Sequence, residues 1–508
     1  MTDGAEPERV VRAGETCWRT AHADRLGIIV DAERYFAAAR EAMLDAEETI
    51  LLIGWDFDLR IDLVPGPAPS EAPNALGPFL KYLVRRRPGL RIFILKWDMA
   101  VLFTSNQLLP IFALDVWGVE RVRLRFDSKH PWTAAHHQKI AVIDDALAFC
   151  GGIDMTAGRW DTRGHDPGDP RRKRPDGELA GPWHDATTIV DGAAAHALGE
   201  VARARWKAAT GHRLPVPRRP GRLWPAGIAP QFRDVEVGIA RTMPKYAGRP
   251  AIREIERLYL AAIGSARRSI YLESQYFASA SICEALEARL AEPDGPEVVV
   301  INPLSTEGWL EQETMGTSRD LRLSAMARAD RHGRFGIFHP VDAAGAPIYV
   351  HAKILVVDDR LIRVGSSNVN NRSMGFDTEC DLAIEARDAD ERAAITALRD
   401  DLLAEHLDTD AAEIREAVAR AGSVLGAVAH LRRDCGRSLR PIPRRQMTAM
   451  EETVARTHFS NPERPADPEA KLEHLAKRLF LSVPPKAWLA LGAAGAAAAI
   501  SLRRRRRR

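Results

Sequence analysis

The sequence predicts an α/β fold of two homologous α/β sandwich halves, an internal duplication, packed around one shared active site. Three observations predict it. Short, nearly all-apolar strand segments alternate with amphipathic helical ones, the pattern of sheets covered by helices. The same order of segments occurs twice along the chain. Each copy also carries a His-x-Lys ahead of an apolar run, at His137-Gln138-Lys139 and at His351-Ala352-Lys353.

The elements pair in order. A helical segment from Asp31 to Glu48 puts Phe36, Ala39, Met43 and Ala46 on one face, and Ala251 to Ala266 repeats it with Ile252, Ile255, Tyr259 and Ala262. Apolar strands follow at Ile50–Trp55 and Ile270–Phe277. Arg91–Leu95 pairs with Val298–Ile301, and Arg121–Phe126 with Arg334–His339. After the two His-x-Lys motifs come strands at Ala186–Val190 and Asp381–Glu385. Helices at Ala194–Ala209 and Ala389–Glu405 follow those. Six elements agreeing in order and type read as a duplication.

This gives four expected regions: an N-terminal half over residues 1–214, a Pro- and Arg-rich linker over 215–230, a C-terminal half over 231–408, and a tail over 409–508. Gly164–Pro182, with the basic cluster Arg171-Arg172-Lys173-Arg174, reads as a long surface loop beside the first motif.

Composition narrows the class. A chain of 508 residues exceeds what one core usually serves, and 45 % hydrophobic with 28 % charged residues is ordinary for a folded protein. A net charge of +3 gives no electrostatic case for a nucleic-acid partner, and none is expected. The five cysteines, Cys17, Cys150, Cys283, Cys380 and Cys435, are scattered and form no Cys-x-x-Cys. They support neither a disulfide framework nor a zinc site and suit a reducing compartment. Met1–Arg12 is acidic and polar, without the apolar core of a secretory signal.

On a strand, residues i and i+2 project from one face. His137 with Lys139, and His351 with Lys353, therefore send an imidazole and an ammonium into common space. Each motif is followed by an aspartate, Asp144 or Asp358, and then by a small-residue turn, Gly151-Gly152-Ile153-Asp154 or Gly365-Ser366-Ser367-Asn368. Such a set suits phosphodiester cleavage. Two ammonium groups and turn donors such as Ser366 and Asn368, with Asp154 at the matching position, orient a tetrahedral phosphate. One imidazole attacks phosphorus and the other protonates the departing alcohol. The lysines supply the positive charge, so no metal or other cofactor is expected. Each imidazole needs a carboxylate to fix its tautomer, and the repeat offers Asp185 and Glu379, which begin equivalent strands.

His-x-Lys-x4-Asp in duplicate resembles the signature of the phospholipase D superfamily. The second copy is the more complete, running from His351, Lys353 and Asp358 into Gly365–Ser373. Gly158-Arg159-Trp160-Asp161, Trp183-His184-Asp185 and Glu273-Ser274-Gln275-Tyr276-Phe277 are similar to segments of eukaryotic-type phospholipases D. The resemblance spans about Asp31 to His406. It implies the phospholipase D fold and a two-step reaction through a phosphohistidine, with His137 as nucleophile, His351 as general acid, and Asp144 and Asp358 structural. One departure stands out: Gly152 and Asp154 occupy the positions of Ser366 and Asn368.

The resemblance implies hydrolysis of phosphatidylcholine-like glycerophospholipids at a membrane surface by a monomeric enzyme, with water or an alcohol as acceptor. The alternatives are a cardiolipin synthase-type phosphatidyltransferase, a nuclease-type phosphodiesterase, and a non-catalytic lipid-binding scaffold. Bacterial cardiolipin synthases would bring N-terminal transmembrane helices, small nucleases are half-length, and both motifs here are intact. In the tail, Glu413–Leu431 reads as a helix and Leu472–Leu481 as a short basic one. Ala487–Leu502 is alanine-rich and apolar, and runs into Arg503–Arg508. That stretch is short for a bilayer span, which takes roughly twenty apolar residues, and suits interfacial contact with anionic headgroups. The expected location is cytoplasmic and peripheral to a membrane, with unsignalled secretion as the alternative.

Overall fold

In the computed structural model the described residues are 8–66, 70–98, 121–131, 133–218, 221, 223–305, 316–443, 445 and 461. All of them belong to the unit Met1–Glu463. The strands are β1 (Arg19–Val30), β2 (Thr49–Gly54), β3 (Arg91–Trp97), β4 (Val122–Asp127), β5 (Ile140–Ile143), β6 (Leu147–Gly151), β7 (Trp183–His184), β8 (Ala186–Asp191) and β9 (Phe232–Met243). They continue with β10 (Ile252–Arg253), β11 (Ser269–Glu273), β12 (Glu297–Ile301), β13 (Phe335–Val341), β14 (Tyr349–Val350), β15 (Ile354–Val357), β16 (Leu361–Gly365), β17 (Glu379–Glu385) and β18 (Ser438–Pro441). The helices are α1 (Ala32–Leu44), α2 (Leu76–Arg86), α3 (Gly192–Thr210), α4 (Glu254–Ser265) and α5 (Ala280–Ala291). After them come α6 (Thr317–Ala329), α7 (Asn371–Gly375), α8 (Ala389–Leu407), α9 (Ala411–Ala421) and α10 (Val424–Leu431).

One sheet runs β18-β13-β12-β11-β15-β16-β17-β9-β1-β8-β6-β5-β2-β3-β4, with β10 on β9. About its central β1–β9 pair the order reads the same in both directions: β8 answers β17, β6 answers β16, and β5, β2, β3 and β4 answer β15, β11, β12 and β13. Within each wing β2-β3-β4 and β11-β12-β13 are parallel, and β5 and β15 are antiparallel to their neighbours. The arrangement is consistent with duplication.

The two sheets expected of separate sandwiches are thus one sheet, fused by β1 and β9 in antiparallel register from Arg19↔Ile239 to Leu26↔Phe232. Neither strand shows a clean apolar alternation; β1 begins Arg19-Thr20-Ala21-His22-Ala23-Asp24-Arg25 and buries only its second half fully.

Apolar clusters lie on both faces. Helices α3 and α8 share one continuous core with both wings, through Leu198, Val201, Trp206, Ile395, Leu402 and Leu403. On the other face α1 and α2 cover the first wing, and α4, α5 and α6 cover the second. All six residues of β2 are buried, as expected of a strand with helices on both sides.

Three expected features differ. The segment read as a linker packs Leu223 and Ile228 into the first wing's core, and Trp224 Nε1 donates to the Ile228 carbonyl at 2.7 Å. The segment read as a surface loop is mostly exposed, as expected, but is anchored by His165, Asp169 and Arg172, which are buried. The helix expected over Glu413–Leu431 is two, α9 and α10, because Gly422 takes a left-handed φ of 64° and Ser423 caps the next turn. Among the described residues no helix is long and apolar enough to cross a membrane. The expected helix Leu472–Leu481, the stretch Ala487–Leu502 and Arg503–Arg508 lie outside the described residues.

Candidate active site

His137 and Lys139 lie on the extended segment entering β5, and His351 and Lys353 on the one entering β15. Both segments are held by the opposite half. His136 bridges Thr378, and the His137 amide donates to the Thr378 carbonyl at 3.0 Å. β14 pairs with β7 in a small parallel ladder, and the His351 amide donates to the His184 carbonyl at 2.8 Å. Each motif therefore enters the site clamped by its counterpart.

The orienting carboxylates cross over as well. His137 Nδ1 lies 3.0 Å from both oxygens of Glu379, from β17. His351 Nδ1 lies 2.6 Å from Asp185 Oδ2, between β7 and β8. With Nδ1–H given to the carboxylate, Nε2 of each ring keeps its lone pair. Burial, then Lys139 and Lys353, hold the His137 pKa well below the ordinary range. Burial, then Lys353, Arg159, Lys139 and His137 itself, do the same for His351. The two imidazoles thus feel each other and both ammonium groups.

Glu379 is built in. Ser366 Oγ donates to one oxygen at 2.6 Å and Ser373 Oγ to the other at 2.7 Å. Burial nonetheless pushes its pKa up to about 8. Burial raises Asp185 too, whose Oδ1 accepts from the Ala186 amide at 2.8 Å. Lys353 is fully buried, reaching Gln275 Oε1 at 3.5 Å and the His351 carbonyl, and burial lowers its pKa to about 7. Lys139 pairs with Asp154 Oδ2 at 3.1 Å.

Of the residues expected to bind phosphate, Ser366 spends its hydroxyl on Glu379. Asp154 is an acceptor that neutralises Lys139 and takes the Trp55 amide at 3.0 Å, so neither donates to a phosphate. Asn368 is buried, and its Oδ1 has no hydrogen-bond donor. The departure at Gly152 has a physical cause: a Cβ there would lie 2.1 Å from Asp185 Oδ1. The place a serine would need is taken by the carboxylate.

The motif aspartates face away from the site. Asp144 accepts from the amides of Glu47, Glu48 and Thr49, and Asp358 from those of Arg267, Arg268 and Ser269. Each ties the tight turn after its motif strand to the start of β2 or β11, and each adopts a left-handed φ, 50° and 53°.

Sequence reasoning missed Trp183 and Arg159 as site residues, although it quoted both. The Trp183 ring centroid stands 5.1 Å from that of His351, and the Arg159 guanidinium lies 3.9 Å above the indole. Tyr349 stacks on Trp183 at 4.6 Å between ring centroids. These contacts join segments far apart in sequence, so no local spacing announces them.

The arrangement offers an unprotonated imidazole nitrogen, a second imidazole able to carry a proton, and two lysines and an arginine around them. That is the equipment for in-line transfer of a phosphoryl centre.

Residues 259–397 match the family model described as "Cardiolipin synthase, PLD-like domain". The chain is 25 % identical over 444 residues to phospholipase D A of Dictyostelium discoideum, covering 71 % of this chain and 33 % of that one. It is 23 % identical to phospholipase D alpha 4 of Arabidopsis thaliana, covering 68 % of this chain and 59 % of that one. It thus spans from a third to about three fifths of those relatives. Phosphatidylserine synthase of Haemophilus influenzae shares the fold with a TM-score of 0.50 at 11 % identity, covering 81 % of this chain and 96 % of that one.

Proposed function

We propose, from the premise that the chain belongs to the phospholipase D superfamily, that it cleaves the distal phosphodiester bond of glycerophospholipids to leave phosphatidic acid and a free headgroup. The observation that carries this reading is the crossed pair of histidine–carboxylate dyads, His137–Glu379 and His351–Asp185, set around one cationic space.

His137 Nε2 forms a bond to phosphorus, and the bond from phosphorus to the headgroup oxygen breaks. That oxygen takes the proton carried by His351. Burial and then the neighbouring cations keep His351 neutral in the empty site; an anionic phosphodiester offsets the cations, which shifts the ring toward its protonated form. In the second step a water or alcohol oxygen attacks phosphorus, gives its proton back to His351 and releases His137. Lys139, Lys353 and Arg159 supply charge to the phosphoryl oxygens throughout. Trp183, with Tyr349 stacked on it, walls the His351 side.

The resemblance to the cardiolipin synthase-type family model favours a second reading, in which an alcohol is the physiological acceptor and the enzyme is a phosphatidyltransferase. One experiment addresses both. The protein is given mixed phosphatidylcholine and phosphatidylglycerol vesicles with ethanol or glycerol. Phosphatidylethanol at the expense of phosphatidic acid is expected from the covalent intermediate. Product ratios without added alcohol separate hydrolase from transferase. Cleavage of single-stranded DNA with no lipid turnover would overturn the lipid assignment.

A further inference from the structure

A second ionisable cluster lies behind His351, outside the phosphoryl-transfer residues. Asp31, His165, His184 and Glu405 are buried, and the four atoms they turn toward one point lie within 4.8 Å of one another. His165 Nε2 is 3.2 Å from Glu405 Oε1 and 3.7 Å from Asp31 Oδ2. His184 Nδ1 is 2.7 Å from the same Glu405 oxygen and 3.6 Å from Asp31 Oδ1.

We infer that these four side chains form a tetrahedral divalent transition-metal site, suited to zinc, which fixes the Trp183-His184-Asp185 segment beneath the reaction centre. Ligand atoms held about 2.0–2.2 Å from a tetrahedral ion stand roughly 3.3 Å from each other. Glu405 Oε1 stands 3.2 and 2.7 Å from the two ring nitrogens, and each ring nitrogen stands 3.6 to 3.7 Å from an Asp31 oxygen, a different one for each ring.

Three further features favour a metal over hydrogen bonding alone. The outer nitrogen of each histidine already has a carboxylate: His165 Nδ1 with Asp161 Oδ2 at 2.9 Å, and His184 Nε2 with Glu273 Oε2 at 2.7 Å. Metal-binding imidazoles are held in this way, which fixes the tautomer and leaves the inner nitrogen a free lone pair.

Asp31 Oδ2 is the second feature. It is buried and accepts no hydrogen bond. If both imidazoles were protonated, their inner N–H groups would converge on one Glu405 oxygen and leave this carboxylate oxygen unserved. An ion among the four atoms satisfies all of them.

The third is charge. Asp31, Asp161, Glu273 and Glu405 carry four negative charges, against the guanidiniums of Arg163 on Glu405 and Arg172 on Asp161. With both imidazoles neutral, two negative charges remain in a dry interior, where uncompensated charge is costly; protonation of His165 and His184 is the other way to balance them. One divalent cation neutralises them.

The site would act by position. His184 immediately precedes Asp185, its carbonyl accepts the His351 amide, and Asp31 Oδ1 accepts the Asp185 amide at 3.2 Å.

The test uses the full chain without a histidine tag, equilibrated with Zn2+ or Co2+ and desalted into metal-free buffer. Elemental analysis should find about one zinc per chain. The cobalt form should show the intense visible absorption of a tetrahedral centre. Asp31→Asn and His165→Ala should lose the metal. His406→Gln should keep it, because His406 belongs to the neighbouring set with Glu273. Wild-type protein that retains no metal, and whose melting temperature Zn2+ does not raise, would overturn the inference in favour of a proton-filled network. Loss of metal in His406→Gln with retention in His165→Ala would overturn this choice of ligands. Neither readout depends on phospholipid turnover.

Discussion

Glu379 lies 242 residues beyond His137 in the chain and 3.0 Å from its imidazole in the fold. The reciprocal pair, His351 with Asp185, spans 166 residues in the opposite sense. Each half supplies a histidine, and the other half supplies the carboxylate that holds its ring. Replacing Glu379 or Asp185 by its amide should keep the fold but present the wrong tautomer. A fall of roughly 10^2- to 10^4-fold in kcat is expected, with KM little changed. A loss below threefold at both positions would contradict the orienting role.

The two histidines differ in what a better leaving group rescues. His137→Ala should be inactive on every substrate, because no phosphorus–nitrogen bond can form. His351→Ala should be inactive on phosphatidylcholine but recover substantially on a p-nitrophenyl phosphodiester, whose leaving group needs no proton. Turnover quenched in alkaline denaturant, in which a phosphorus–nitrogen bond survives, should leave the phosphatidyl group on His137. Rescue of His137→Ala instead would exchange the two roles.

Inhibition by sulfate should depend on pH through Lys353. Its pKa of about 7 means that the empty site loses a positive charge as pH rises past neutrality, while sulfate stays dianionic. Both histidines, held well below their ordinary range, are already neutral there. The competitive inhibition constant should therefore rise above about pH 7, by up to roughly tenfold per unit. A constant independent of pH from 6 to 9 would place Lys353 in its charged form throughout.

Asp144 and Asp358 should matter to folding rather than to chemistry. Asp358→Ala leaves the amides of Arg267, Arg268 and Ser269 without their acceptor, and a loss of roughly 2–4 kcal/mol is expected from chemical denaturation. Turnover per folded molecule at low temperature should stay within a few-fold of wild type. Full stability with lost turnover would make this aspartate part of the site.

The wings were legible because their strands are apolar on both faces and their order repeats; β5 and β15 fall within the apolar runs expected, and β2 and β11 begin one residue before theirs, at Thr49 and Ser269. The centre was not. β1 and β9 owe their place to pairing with each other, and their polar first halves carry no periodic signal. In the site, repetition singled out the histidines, lysines and carboxylates, yet the repeat alone does not say which carboxylate serves which ring. Ser366 and Asp154 looked like phosphate ligands because turns near a phosphate often donate; their real partners come from β17 and from Lys139. The buried cluster was invisible for a related reason. Its ligands come from four separate stretches, Asp31, His165, His184 and Glu405, with no spacing to mark them.

Membrane attachment is proposed to reside in the tail, with the enzyme on the cytoplasmic side. Each arginine near an anionic surface contributes about 1 kcal/mol, so the run Arg503–Arg508 adds several at low salt. Deleting residues 487–508 should release the protein from anionic vesicles in a flotation assay. Activity on short-chain, detergent-dispersed lipid should survive. If the truncated protein floats as before, the exposed Arg171 and Lys173 become the next residues to neutralise.

The crossing of the dyads also sets a time at which the enzyme can first act. A ribosome that has released only the first wing has made His137 and Lys139 but not Glu379, and β1 still lacks β9. At that stage His137 lacks the carboxylate that holds its ring, and β1 lacks its partner strand. Under the proposed function, cleavage must wait until the second wing emerges and closes the ladder. On that reading, completion of the fold is what assembles both dyads.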